Sequence, residues 1–394
     1  MSIRTIDINS LEASEHRSDI CFFTVSISGG GAERILLYLA NHFAMKGLKV
    51  DVVVCKKSVT EELEDLIPDN VRLISLNARR TMLCLPQYRR YLSIARPRKV
   101  LSTIIRANIL AGLAKMTRAS KHELIIRGEI SLKMWKDPNK KIQSQWFLWP
   151  LAYIAFPFAD KYIGVSKGVC GEFLTLPFVK KDSVQCIYNP TIKENFDERM
   201  NQDAEWPEQV STSASIILAA ARLAPEKDYP TLFKALKRVL QEMPCQLVIF
   251  GDGHIREELI TLSKTMGLEQ NIHFLGFTPN VVPYMKKADV FVLSSLAEGL
   301  PNALIEALAT GTSVVSTNCP HGPYEILENG KYGGLVEMRD HKAMSQAILA
   351  ALKNPQTKMS ADLKDHLKKF NIAYASPQYE RALFGNELSR DENA

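Results

Sequence analysis

The sequence predicts an α/β protein built from two parallel sheets, each covered by helices. Three observations carry that expectation. Short apolar runs alternate with amphipathic stretches from Ile20 to Ile187 and again from Ile216 to Ser316, the rhythm of strand–helix units that feed parallel sheets. Between the two runs the rhythm breaks, because Asn189–Pro190 is a turn signal and Glu194–Ser215 is polar without a clear period. A chain of 394 residues has room for two domains, and its 46% hydrophobic and 23% charged residues exclude a disordered or fibrous protein.

The elements follow in order. Ile20–Ile27 reads as a buried strand, followed by a glycine loop and a helix from Ala32 to about Lys46. Apolar residues at Ile35, Leu36, Leu39 and Phe43 give that helix its face, and Gly47 is a natural stop. Lys49–Cys55, Val71–Leu76, Val100–Ile104, Glu123–Ile126, Tyr162–Val165 and Val184–Ile187 continue the strands, with a helix near Ala107–Met116. Tyr188–Ser215 reads as the interdomain connection plus a surface loop. The second set of strands is Ile216–Ala221, Gln246–Phe250, Ile272–Leu275, Val290–Leu293 and Ser313–Ser316. The expected domains are 1–190 and 191–372, with 373–394 forming a C-terminal helix that packs back toward the first. Ligands of such folds sit beyond the carboxyl ends of the strands, so the cleft between the domains is the expected active site.

Composition narrows the function classes. The seven cysteines are scattered without a C-x-x-C pair, which points away from a disulfide framework or a zinc site and toward a reducing compartment. The polar N-terminus lacks the apolar region of a signal peptide. The longest apolar run, Trp146–Ala159, is 14 residues long and contains Pro150 and Pro157, short of the roughly 18 a spanning helix needs. Its aromatic stripe of Trp146, Trp149, Tyr153 and Phe156 reads as core. The net charge of +6 conceals an asymmetry: residues 1–190 carry 28 Lys and Arg against 17 Asp and Glu, whereas residues 191–394 carry 21 against 26. Between Arg79 and Lys141 there are 16 basic and 3 acidic residues. Such a field suits an anionic partner. Arg89, Arg90, Arg96, Arg98 and Lys99 lie in or beside one predicted helix, interleaved with Leu85, Tyr88, Tyr91, Leu92 and Ile94. Cations around an apolar stripe can lie flat on anionic lipid.

Five loops after strands carry candidate chemistry. Ser28 to Arg34 reads S-G-G-G-A-E-R; Gly29, Gly30 and Gly31 allow close approach of a ligand to a helix N-terminus. It is not a dinucleotide fingerprint, since Arg34 stands where that pattern needs its last glycine. Arg222 and Lys227, past Ile216–Ala221, can neutralise a diphosphate, one as a fork and one as a point charge. In A-E-G-L-P-N-A-L-I-E, Glu298 and Glu306 bracket a helix start, with Pro301 placed like a first-turn proline and the amides of Gly299, Leu300 and Asn302 beside it. Carboxylates for hydroxyls and amides for phosphates suit a nucleotide sugar. The fourth loop, N-C-P-H-G-P-Y-E-I-L, follows Ser313–Ser316, and His321 within it is either a donor or merely exposed. Gly251 and Asp252 in F-G-D-G-H form either a ligand-facing loop or a plain turn. No metal-ligand spacing and no D-x-D element is present.

Taken together and in order, G-G-G-A-E-R, R-L-x-x-x-K, G-D-G, E-G-L-P-N-A-L-I-E and C-P-x-G-P-x-E-I resemble the retaining glycosyltransferases of family 4, over almost the whole chain. The resemblance implies the GT-B fold, two Rossmann-like domains facing a cleft, with the acceptor in the first domain and a nucleotide-sugar donor in the second. It implies that Arg222 and Lys227 hold the donor diphosphate, Glu306 the ribose and Glu298 a sugar hydroxyl, and that Gly29–Gly31 approach the diphosphate and acceptor. It also implies a metal-independent, cofactor-free enzyme using UDP-linked hexose or N-acetylhexosamine, peripheral on the inner face of the cytoplasmic membrane. The acceptor would be a lipid-linked or surface glycan of capsule or lipopolysaccharide type, with no nucleic acid as partner. One departure stands out. Where many members carry a histidine or acid after the strand matching Glu123–Ile126, this chain reads Arg127-Gly128-Glu129, and Glu129 is the nearest polar substitute. A sugar-nucleotide epimerase of the same fold and a non-catalytic polyanion-binding protein are the alternatives. The first would turn over UDP-sugar without an acceptor, and the second would bind in a salt-dependent way without donor turnover.

Overall fold

In the computed structural model the residues described are 5–11, 17–27, 30–56, 67–68, 70–118, 120–131, 148–355 and 359–385. Two compact units divide at Tyr188/Asn189 and again at Tyr374/Ala375, so the last stretch returns to the first unit. Gly29 and Trp146 lie outside the described residues.

The first unit holds eight strands: β1 (Ile6–Asp7), β2 (Ile20–Thr24), β3 (Val50–Val54), β4 (Val71–Ser75), β5 (Lys99–Thr103), β6 (Glu123–Gly128), β7 (Lys161–Gly164) and β8 (Val184–Cys186). They form one sheet in the order β1-β4-β3-β2-β5-β6-β7-β8, every pair parallel. Burial on both faces explains why β2 (ICFFT) and β3 (VDVVV) read as continuous apolar runs. The one acid among them, Asp51, is buried but receives Arg72 Nε at 2.7 Å and Tyr91 Oη at 2.7 Å. One sheet face packs against the helix Gly31–Met45 and the C-terminal helix Ile372–Phe384, with Phe22, Phe43, Tyr379 and Phe384 in a single apolar cluster. Gly47, at φ +83°, ends the first of these helices in a left-handed turn.

The second unit holds β9 (Ser215–Ala220), β10 (Cys245–Phe250), β11 (Ile272–Gly276), β12 (Val290–Leu293), β13 (Ser313–Thr317) and β14 (Gly334–Val336). Their order is β11-β10-β9-β12-β13-β14, again parallel throughout. In each sheet the chain runs outward one way and then restarts on the other side. The reversals fall between β2 and β5 and between β9 and β12. Strand-end crevices of this fold class open at such reversals.

Four expectations need correction. Tyr188–Ser215 is not simply a connection with a surface loop, because it contains the helix Phe196–Met200, and Asn280 Nδ2 donates to Arg199 O at 2.9 Å. Its polar residues make tertiary bonds that carry no local period. The aromatic stripe is not all core: Phe156 is buried with Leu148, Ala152 and Ala155, whereas Tyr153 is 47% exposed. The helix Ile105–Met116 selects that small-residue face, and a Cβ at Gly112 would collide with Ala155 O. On the basic helix, observed at Leu85–Ala95, the apolar stripe of Tyr88, Tyr91 and Leu92 is fully buried. It packs inward with Phe23 and Leu110 and is not available to lipid. Lys99 does not join the exposed basic face either, because it sits in β5 with Nζ 2.5 Å from Glu123 Oε2. Arg89, Arg90, Arg96 and Arg98 are exposed.

Candidate active site

At the β9/β12 reversal two loops are stitched together. Ser294 Oγ donates to Lys227 O at 2.6 Å, and Leu296 N donates to Glu226 O at 2.8 Å. Across this seam Lys227 Nζ reaches Glu298 Oε1 at 2.5 Å, and Ser295 Oγ donates to the same oxygen at 2.6 Å. Both charged side chains are largely buried, at 18% and 11% exposure. The loop after β13 fixes Glu298 from the other side: Glu298 N donates to Pro320 O at 2.6 Å, and His321 N donates to Glu298 O at 2.9 Å. The pairing of β9 with β12 thus brings Lys227 and Glu298 to one point from two separate strand ends. Arg222 stands apart from them. Its guanidinium is 70% exposed and bonded to Glu226 at 2.6 Å, a surface pair that restrains it weakly.

Pro301 is not a first-turn proline but the residue that caps the helix Asn302–Ala309. Gly299 and Leu300 precede this cap, so their amides lie at the helix start, where unpaired N–H groups and the helix dipole favour an anion. Asn302 and Glu306, four residues apart, share one helix face. The segment misread as a connection covers that face. Asn302 Oδ1 accepts Asn189 Nδ2 at 2.8 Å and Thr191 Oγ1 at 3.1 Å, and Arg199 Nη2 lies 3.6 Å from Glu306 Oε1. The Asn-Pro turn after the first domain was the only sequence signal for this bracket, and nothing local marked Arg199.

Gly251 and Gly253 serve packing. A Cβ at Gly251 would collide with Ala221 O, and one at Gly253 with Leu223 O. These contacts press the β10 loop onto the arginine loop, where Leu223 N donates to Asp252 O at 2.9 Å. Asp252 itself is exposed, and its carboxylate accepts from the next amide, Gly253 N, at 2.7 Å, as expected of a turn aspartate. Two ionisable groups near Glu298 are held in their neutral forms. Burial, with the Glu298 charge second, pushes the Cys319 thiol up to about 12 and the Tyr229 phenol well above its usual value. An open concavity lined by Met243, Pro244 and Asn271 lies at the amino ends of β9 and β10, away from these loops.

In the first unit, Gly30 N, at the start of the helix Gly31–Met45, donates to Glu33 Oε2 at 3.1 Å. Glu129 follows β6 directly, next to the β2/β5 reversal. Its Oε1 accepts Thr103 Oγ1 at 2.6 Å and pairs with Arg127 Nη1. Among the described residues no group of three or more His, Cys, Asp or Glu is placed to hold a metal ion, and no helix is long and apolar enough to cross a membrane.

At the β9/β12 reversal of the second sheet a cation, a carboxylate and helix-start amides gather in one place. Comparison with known proteins names the family. Residues 29–192 match the family described as Glycosyltransferase Family 4, and residues 201–370 match Glycosyl transferases group 1. The chain carries a glycosyltransferase family 4 domain followed by a glycosyl transferases group 1 domain and has the GT-B fold. It is 27% identical over 346 residues, 84% of this chain and 89% of the relative, to an N-acetylgalactosamine-N,N'-diacetylbacillosaminyl-diphospho-undecaprenol 4-alpha-N-acetylgalactosaminyltransferase of Campylobacter jejuni. It is 26% identical over 378 residues, 91% of this chain and 96% of the relative, to an alpha-1,4-N-acetyl-D-galactosaminyltransferase of the same organism that acts on a diphospho-undecaprenol-linked glycan. Among solved structures, Anabaena Alr3699/HepE in complex with UDP and glucose superposes with a TM-score of 0.72 at 19% identity, covering 93% of this chain and 99% of that one. The chain is therefore a glycosyltransferase.

Proposed function

We propose that this glycosyltransferase transfers an N-acetylhexosamine or hexose from a UDP-sugar to a lipid-linked or growing surface glycan, with retention of anomeric configuration and without a metal. The observation that carries the donor assignment is the Lys227–Glu298 pair at the β9/β12 reversal, beside the start of the helix Asn302–Ala309. The polyprenyl-diphosphate acceptors and α-linkages in the names of the Campylobacter relatives, and the UDP in the Anabaena complex, support the acceptor class and the donor.

The chemistry follows from charge. The acceptor hydroxyl oxygen bonds to the anomeric carbon as the bond from that carbon to the diphosphate oxygen breaks. The electron pair leaves with UDP, and the hydroxyl proton passes to the departing phosphate on the same face. Lys227, Arg222 and the amides of Gly299 and Leu300 stabilise the growing anion, as preorganised donors do. Glu306 holds the ribose, Glu298 a sugar hydroxyl, and Gly29–Gly31 with Glu129 serve the acceptor side. A panel of nucleotide sugars, read by protection against thermal unfolding and by UDP release in the presence of chelator, tests this. UDP-sugars should protect and release UDP. Protection by none of the panel would remove the donor assignment.

The same reading places the enzyme at an anionic membrane surface through Arg89, Arg90, Arg96 and Arg98. With the apolar stripe buried, attachment is purely electrostatic. Each cation near such a surface contributes about 1 kcal/mol. Sedimentation with liposomes should rise with anionic lipid, fall with salt, and drop when the four arginines become Ser. Equal recovery with neutral and anionic liposomes would contradict it.

A further inference from the structure

Arg127 is fully buried in the first unit, the largest side chain so enclosed. Isolating a guanidinium from water costs several kcal/mol, and well-packed apolar residues often replace buried ion pairs without loss of stability. Arg127 therefore has no evident reason to be there as a stabiliser. What it does have is a directed hydrogen bond and an ion pair. Nε donates to Tyr379 Oη at 2.8 Å, from the C-terminal helix 252 residues away, and Nη1 pairs with Glu129 Oε1. Its own carbonyl accepts Asn108 Nδ2 at 3.0 Å. Thr103, its register partner on β5, donates to the same Glu129 oxygen at 2.6 Å. Both restraints thus converge on Oε1, and no described residue hydrogen-bonds Oε2. Gly128 adds rigidity, because a Cβ there would press into Phe173 at 2.7 Å and Val169 at 2.9 Å.

We infer that Tyr379 and Arg127 are positioning residues which hold Glu129 so that its second carboxylate oxygen accepts a hydrogen bond from an acceptor hydroxyl next to the attacking one. A carboxylate paired with a guanidinium is an acceptor, not a proton donor, which suits orienting the acceptor while leaving the attacking hydroxyl's proton to the phosphate. The C-terminal helix thereby acts on the reaction through a chain of two bonds, in addition to covering the sheet. This inference rests on the glycosyltransferase reading above and on Glu129 as the acceptor-side group.

The test is a double-mutant cycle on UDP release from UDP-N-acetylgalactosamine, with octyl α-N-acetylgalactosaminide or water as acceptor. Glu129→Gln should lower kcat about 10²-fold through misplacement of the acceptor. Tyr379→Phe, which keeps the ring and removes only the hydroxyl, should lower kcat about tenfold through misplacement, with donor KM and UDP protection against unfolding unchanged. Arg127→Lys should fall between them, since it keeps the charge and loses the fork. The decisive readout is the double variant: Tyr379→Phe should cost nothing further in the Glu129→Gln background. Wild-type kcat in Tyr379→Phe, or the full tenfold loss again in the double variant, would overturn the positioning role. Wild-type kcat in Glu129→Gln would instead overturn Glu129 itself. UDP protection without UDP release from either acceptor mixture would overturn the transfer reading and this role with it.

Discussion

Lys227→Ala should lower the transfer rate by about 10²–10³, the cost of deleting one preorganised donor to a developing anion. The structure makes this the larger of the two cation effects. Lys227 Nζ is pinned at the reversal by Glu298 and its carbonyl by Ser294, so its charge is in place before the substrate arrives. Arg222 is on an exposed side chain with a surface partner and must still be ordered. Its loss should be smaller, although spacing alone treats the two cations alike. Lys227→Ala also leaves the Glu298 carboxylate with Ser295 as its remaining side-chain partner, at a stability cost of about 1–3 kcal/mol. Steady-state kinetics beside thermal unfolding separates the two effects, and Lys227→Arg should recover stability more than rate, because a fork does not reproduce a point charge. Turnover of Lys227→Ala within a factor of a few of wild type would remove it from the leaving-group site.

The second large effect is on nucleotide binding. Glu306→Ala should weaken UDP itself by about tenfold or more, the worth of hydrogen bonds from ribose hydroxyls to a charged acceptor. Glu298→Ala should impair transfer while weakening UDP less than Glu306→Ala does, since it unpins Lys227 without removing the lysine's charge. Calorimetry with UDP distinguishes them. The bracket around the helix Asn302–Ala309 adds a check: Arg199→Ala removes the guanidinium 3.6 Å from Glu306 and should weaken UDP less than Glu306→Ala does. Equal UDP affinity for Glu306→Ala and wild type would contradict the ribose assignment.

The particular elements show what could be read in advance. Doubly buried strands such as β2, β3 and β12 are nearly uninterrupted apolar runs, and β-branched content marks them without any tertiary information. β1 and β14, at two and three residues, are edge strands too short to have a period. The motif loops were legible because glycine permits backbone conformations that other residues avoid and proline fixes φ, as at Gly251 and Pro301. Which charges meet was not legible. The Lys227–Glu298 contact spans 71 residues and depends on β9 lying beside β12. The bonds from Asn189, Thr191 and Arg199 to the donor helix come from a stretch whose polarity looks like that of any loop. The helix Leu85–Ala95 shows the limit of periodicity. Its stripe was correctly located, but a stripe does not say whether sheet or lipid covers it.

The central claim is that the β9/β12 reversal holds a nucleoside diphosphate through Lys227. Calorimetric titration of the full chain with UDP and with UMP tests this most directly. Wild type should prefer UDP by at least about tenfold, or about 1.4 kcal/mol, and Lys227→Ala should lose most of that preference while binding UMP as before. Equal binding of UDP and UMP by wild type, or an undiminished preference in Lys227→Ala, would contradict it.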